Sequence, residues 1–195
     1  MSTNVLIVGV GGQGTLLASR LLGNVAMGRG YDVKMSEVHG MSQRGGSVVT
    51  YVRYGEELYS PLVERGQADY IVAFELLEAM RYVHYLKEGG RIIVNTQKIL
   101  PMPVITGGVD YPQDLPDQLK AACPSALMLD ALALARSCGS ERAVNTVLMG
   151  VLAMFLEFSP EDWDAALRVT LKPKILDMNM KAFHTGLAWA KQNLL

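Results

Sequence analysis

Residues Val5-Leu6-Ile7-Val8-Gly9-Val10-Gly11-Gly12-Gln13-Gly14 place an apolar run directly before a glycine turn. The run has the length and composition of a buried strand. Behind the turn, Leu17, Leu21 and Val25 recur at intervals of four, with Ala18 and Leu22 beside them, until Gly28 and Gly30 close the segment. Strand, tight turn and amphipathic helix in that order open a Rossmann-like unit. Gly9 permits the turn, Gly11 lets backbone approach a ligand, and Gly14 lets the helix pack near the strand. A helix beginning there aims free N–H groups at an anion. Gly9, Gly11, Gly12, Gln13 and Gly14 are therefore a candidate phosphate-binding turn. The same glycines equally suit a strand and helix that only pack together, and the turn alone leaves both readings open.

The pattern continues outward. Residues 33–38 read as a second strand, and residues 47–54, rich in β-branched and aromatic side chains, as a third. Gly55-Glu56-Glu57 reads as a turn into Leu58-Tyr59-Ser60, which predicts an antiparallel hairpin near residues 47–60. Residues 68–74 form a buried strand, 75–86 a helix stopped by Gly89-Gly90, and 91–95 another strand. Residues 100–116 carry four prolines and a Gly-Gly pair and read as loop. A short strand at 126–129 and a helix at 132–137 follow. Strand and helix alternating through short connections predict an α/β fold, a Rossmann-like doubly wound and mostly parallel sheet with flanking helices.

The C-terminal third is helical. Residues 142–158 are apolar on almost every side, which suits either a central core helix or a subunit interface. Ser159-Pro160, with Asp162 three residues after Ser159, signals the next helix start. From about Lys174, Leu176, Met180, Phe183, Leu187, Ala190 and Leu194 form one apolar stripe.

Composition bounds the rest. The 195 residues are half apolar, enough for one domain over 1–195 with a complete core. Eighteen basic against nineteen acidic residues give a net charge of −1, so no global field recruits nucleic acid or an anionic membrane. No secretory or membrane-spanning run is visible, and a cytoplasmic location is expected. The two cysteines, Cys123 and Cys138, are too few for a four-thiolate cluster and lack zinc spacing, so no metal site is assigned.

The densest polar segment is Ser36-Glu37-Val38-His39-Gly40-Met41-Ser42-Gln43-Arg44-Gly45-Gly46-Ser47. Loops at the carboxyl ends of strands form the ligand crevice of a doubly wound sheet, so this loop is expected beside the glycine turn. Glu37 and His39 titrate or hydrogen-bond, Gln43 donates and accepts, and Arg44 offers a planar fork for carboxylate or phosphate. Gly45 and Gly46 admit close backbone approach. A plainer reading pairs Arg44 with Glu37 or a nearby acid and makes His39 structural. There is no nucleophile elbow and no triad, so no residue is assigned a catalytic role. A stand-alone NAD(P)- or flavin-binding oxidoreductase meets a difficulty, because the acid that binds ribose belongs at the end of the second strand. Asp32 precedes that strand, and Glu37 arrives late. A noncatalytic nucleotide-sensing module has no motif of its own.

At these two motifs, 9–14 and 37–47, the sequence resembles the gamma subunit family of the 2-oxoacid:ferredoxin oxidoreductases, including the small subunit of its indolepyruvate branch. The likeness also takes in residues 68–75 and 90–95, and Asn145 with Gly150. The resemblance implies a pyruvate/ketoisovalerate oxidoreductase gamma-type domain, an accessory subunit of an enzyme that oxidatively decarboxylates an aryl 2-oxoacid. The products would be an acyl-CoA, carbon dioxide and reduced ferredoxin. It implies that thiamine diphosphate, magnesium and iron–sulfur clusters sit on a partner subunit, with coenzyme A as co-substrate. It also implies that the isolated chain is inactive, with a homodimer as one state open to it, and that Glu37, His39, Gln43 and Arg44 approach the catalytic subunit or the coenzyme A side of its site.

Overall fold

The computed structural model describes residues 2–40 and 45–194. The chain runs β1 (Ser2–Val10), α1 (Thr15–Gly28), β2 (Asp32–His39), β3 (Ser47–Gly55), β4 (Ala68–Ala73), α2 (Leu76–Tyr82) and β5 (Leu86–Asn95). It continues through α3 (Met102–Ile105), α4 (Leu115–Ala122), β6 (Leu127–Leu129), α5 (Ala131–Ser137), α6 (Val144–Ala153), α7 (Pro160–Thr170) and α8 (Pro173–Leu194). Six strands form one sheet in the order β2-β3-β1-β4-β5-β6. Side chains alternate across a strand, so the opening apolar run feeds two cores at once. Val5 and Ile7 pack among α1, α6, α7 and α8, while Leu6 and Val8 pack with α2 and α4. That alternation is what makes the sheet doubly wound.

The β1–β4, β4–β5 and β5–β6 pairs are parallel, whereas β3 is antiparallel to both β1 and β2. The expected antiparallel element is present, but its partner differs from the expected one. Residues 58–60 are not a strand. Leu58 N–H is instead held by the Asp32 carboxylate at 2.9 Å, and β3 forms its hairpin with β2, upstream.

Three helix boundaries also differ. The helix expected over 75–86 ends at Tyr82, passes through a 3₁₀ turn at Val83–Tyr85, and yields to β5 at Leu86. Aromatic and β-branched residues there are poor helix formers, and Tyr85 packs its ring against Tyr82 and Tyr51. The helix expected over 142–158 is α6 alone, preceded by a 3₁₀ turn. The chain leaves it to stack Phe155 against Tyr70, with the Arg91 guanidinium over the Phe155 ring. Within the segment expected as loop, α3 forms and α4 begins, with Pro116 in the first turn of α4, where its missing N–H costs nothing.

The apolar helix α6 is buried along its whole length, chiefly against α8. A Cβ on Gly150 would fall inside contact distance of the Phe183 carbonyl, and one on Gly186 inside that of the Val147 carbonyl. Each helix thus presents a glycine to the other's backbone, which makes α6 a central core helix. Ser159 and Asp162 close the expected capping box at the start of α7. No helix among the described residues is long and apolar enough to cross a membrane.

Candidate functional site

The glycine turn lies at the carboxyl edge of the sheet between β1 and α1. Gly12 and Gly14 adopt φ of +99° and +86°, a left-handed backbone that only glycine takes without strain. Gly9 is needed for space, because a Cβ there would stand 2.7 Å from Gln13 Oε1 and 3.1 Å from Phe74 Cβ. The Gln13 side chain turns inward rather than toward a ligand. Its Oε1 accepts the Val10 N–H at 2.9 Å and its Nε2 donates to the Phe74 carbonyl at 3.2 Å. Gln13 therefore pins the turn to the end of β4. On the far side, Asn145 at the start of α6 donates to the Gly14 carbonyl at 3.3 Å.

The loop and the turn adjoin, as the sheet geometry predicts. Gly11 N–H donates to the Gly46 carbonyl, and Gly40 N–H donates to the Ser47 carbonyl, both at 2.9 Å. Glu37 anchors the start of the loop. Its Oε2 accepts from Thr50 at 2.9 Å and from Thr15, the first residue of α1, at 3.4 Å, while its Oε1 pairs with His39 Nε2 at 2.7 Å. A carboxylate at a helix start is also favoured by the helix dipole. Ser47 anchors the end of the loop, donating to Glu78 Oε2 at 2.5 Å, and Glu78 Oε1 takes the Arg81 guanidinium at 3.0 Å. Burial pushes the Glu78 carboxyl above its ordinary range, against the lowering effect of Ser47 and Arg81. Gln43 and Arg44 lie outside the described residues.

Two clefts flank the turn. One, of about 550 Å³, is lined by Gly12, Gln13, Gly14, Gln97, Glu141 and Arg142, with apolar walls. Glu141 is paired with Arg136, and among the described residues no carboxylate stands within ion-pair distance of Arg142. The cleft thus joins the start of α1 to a guanidinium, a chemistry suited to an anion. The other, of about 390 Å³, lies beyond Val10 and is lined by Gly45, Gly46, Ser47, Glu75 and Glu78 with a proline-rich apolar wall.

The sheet order bears on the dinucleotide reading. Asp32 pairs with Gly55, which pairs with Ser2, so Asp32 stands at the edge of the sheet opposite the turn. The inserted β3 moves the end of β2 two strand spacings, roughly 10 Å, from β1. Asp32 is thus far from the turn, whereas Glu37 reaches the residue after it, Thr15, from the second strand away.

The family model described as pyruvate ferredoxin/flavodoxin oxidoreductase matches residues 4–189. The chain belongs to this oxidoreductase family. It is 42% identical to indolepyruvate oxidoreductase subunit IorB of Thermococcus kodakarensis, over 98% of this chain and 97% of that one. Two solved structures share the fold. The keto/oxoacid ferredoxin oxidoreductase gamma subunit of Geobacter sulfurreducens superposes at a TM-score of 0.72 with 22% identity, over 97% and 99% of the two chains. A 2-oxoglutarate:ferredoxin oxidoreductase from Magnetococcus marinus, solved with 2-oxoglutarate, coenzyme A and succinyl-CoA, superposes at 0.74 with 20% identity. That match covers 98% of this chain and 31% of the larger one.

In this family member, sequence patterns do not single out Thr15, Glu75, Glu78 or Arg142. Glu75 and Glu78 follow the carboxyl end of β4, the edge at which a doubly wound sheet gathers its ligand-binding groups, and that position is the signal that could find them. Thr15 directly follows the glycine turn, and that adjacency is its signal, whereas Arg142 carries no local signal because it joins the site through long-range packing. Among the described residues no three His, Cys, Asp or Glu side chains gather as a metal site, and Cys123 and Cys138 are buried free thiols.

Proposed function

We propose that the chain is a single gamma-type domain serving as the accessory subunit of a thiamine-dependent 2-oxoacid:ferredoxin oxidoreductase with an aryl, indolepyruvate-like substrate. The end-to-end 42% identity to an indolepyruvate oxidoreductase subunit carries this reading. Thiamine diphosphate, magnesium and the iron–sulfur clusters belong to the partner subunit, and ferredoxin is reached through the complex in the cytoplasm. Two cysteines cannot supply the four thiolates of a cluster, so this chain's residues do not fit that group. Carbanion stabilisation is the chemistry that thiamine supplies on the partner.

What this chain contributes is binding and orientation. The cleft beside Gly12 and Gly14 receives a phosphate of coenzyme A, with the α1 N-terminus and Arg142 as its donors. Gln13 and Asn145 hold the turn in shape from its two sides. The 37–47 loop, with Gln43 and Arg44 within it, faces the catalytic subunit, its ends held by Glu37 and by Ser47. Co-expression with a thiamine-binding subunit encoded nearby tests the reading. A stable complex is expected, and separate elution of the two chains at micromolar concentration would overturn it.

A further inference from the structure

Asn95 is fully buried at the carboxyl end of β5 and reaches the cleft of about 550 Å³ only through its neighbours. Its Oδ1 accepts the Ala131 N–H at 3.1 Å, while its Nδ2 donates to the Phe74 carbonyl at 3.1 Å and to Gln97 Oε1 at 3.3 Å. An amide side chain can be turned end for end, so the place of its oxygen has to follow from its partners. Two of these partners are backbone groups of fixed character. The Ala131 N–H can only donate and the Phe74 carbonyl can only accept, which leaves the Asn95 amide one orientation.

That orientation decides Gln97. Asn95 presents an N–H, so Gln97 answers with Oε1 and its Nε2 becomes the free end of the amide. Among the described residues Nε2 has no hydrogen-bond partner. Gln97 lines the cleft with Gly12, Gly14 and Arg142, and its backbone carbonyl accepts the Leu76 N–H at 3.2 Å, so the side chain starts from a fixed point. Glu141, the carboxylate among the lining residues, is held by Arg136 at 2.8 Å.

We propose that Gln97 is a third donor to the phosphate of coenzyme A, beside the α1 N-terminus and Arg142, and that Asn95 is the positioning residue that keeps its N–H end toward the cleft. Without Asn95, Gln97 is free to turn its oxygen, an acceptor, toward the anion. The inference rests on the assignment of this cleft to coenzyme A.

The test measures the dissociation constant of coenzyme A by calorimetry on the complex with the thiamine subunit, together with kcat and the KM values of both substrates. A thermal melt confirms that each variant folds. Gln97→Met keeps the length of the side chain and removes its donor. It is expected to weaken coenzyme A about 10-fold, as loss of a hydrogen bond to a charged group does. Gln97→Glu sets a carboxylate against the phosphate and is expected to weaken binding roughly 100-fold. Neither changes kcat or the KM for the oxoacid, which a general loss of structure would move. In Asn95→Asp the carboxylate cannot donate, so Gln97 turns Nε2 inward and Oε1 toward the cleft, and coenzyme A binds at least about 10-fold more weakly. Because Asn95 acts through Gln97, the double variant Asn95→Asp/Gln97→Met should bind no more weakly than the weaker single variant. Asn95→Ala, which buries no charge, supplies the same cycle if Asn95→Asp does not fold. Equal binding by wild type and Gln97→Met overturns the proposal and leaves the coenzyme A reading to Arg142→Ala. Losses that multiply in the double variant overturn the positioning role of Asn95. A wild-type complex that binds no coenzyme A overturns both the proposal and the reading.

Discussion

The Gly11 N–H donates to the Gly46 carbonyl oxygen at 2.9 Å, a backbone bond between the turn after β1 and the loop before β3. Through it the glycine turn meets the described end of the second polar segment, at Gly46. The turn is braced to the end of β4 by Gln13 and to α6 by Asn145, so the same contacts position Gly46, where the chain enters β3. With this support the 37–47 loop springs from a fixed base.

The first prediction concerns that base. Glu37→Ala removes the acceptor of two buried hydroxyls, Thr50 and Thr15. Leaving buried donors unpaired costs about 2 kcal/mol. Urea denaturation of the variant checks this, with Glu37→Gln expected to lose less because its amide oxygen still accepts. A loss below the error of the measurement in the alanine variant would show that the carboxylate does not anchor the loop.

The second concerns the helix pair. Gly150→Ala and Gly186→Ala each force a methyl into the opposing backbone, so α6 and α8 must separate. Overpacking of this kind costs about 3 kcal/mol. Once the helices have parted, the second substitution meets less resistance, so the double variant should be less destabilised than the sum of the singles. Strict additivity would mean that the two contacts are independent.

The third concerns pH. Burial raises the folded-state pKa of Glu78, so the folded protein holds that proton more tightly than the unfolded chain. This stabilising difference is fully present below the ordinary carboxylate pKa and is lost as pH rises through the raised folded value. Glu78→Gln does not titrate. Its stability relative to wild type should therefore increase between about pH 4 and pH 7. Denaturation of both proteins across that range checks the sign, and a falling difference would place Glu78 under net stabilisation by Arg81 and Ser47.

The strands and the glycine turn are legible in the sequence because their signals are local. Val5 to Val8 alternate between two cores, and the Ser159 and Asp162 pair caps α7 as its spacing requires. Pairing partners are harder to read. Nothing near residues 47–55 announces that β3 inserts between β1 and β2, because that order is set by contacts across the sheet. The ends of α2 and α6 escape a local reading for the same reason, since Tyr85 and Phe155 are drawn out of helix by rings elsewhere in the chain. At the site, Gln13 is legible as part of a motif but not as an inward brace. Arg142 is invisible as a neighbour of Gly12, more than a hundred residues earlier in the sequence.

The most direct measurement is aryl 2-oxoacid- and coenzyme A-dependent reduction of ferredoxin by the purified thiamine subunit, titrated with this chain. Negligible turnover is expected from either protein alone, with a rise on mixing that saturates at a fixed stoichiometry. Arg142→Ala should raise the KM for coenzyme A and leave that for the oxoacid little changed. Full activity of the thiamine subunit without this chain would contradict the assignment of an accessory subunit.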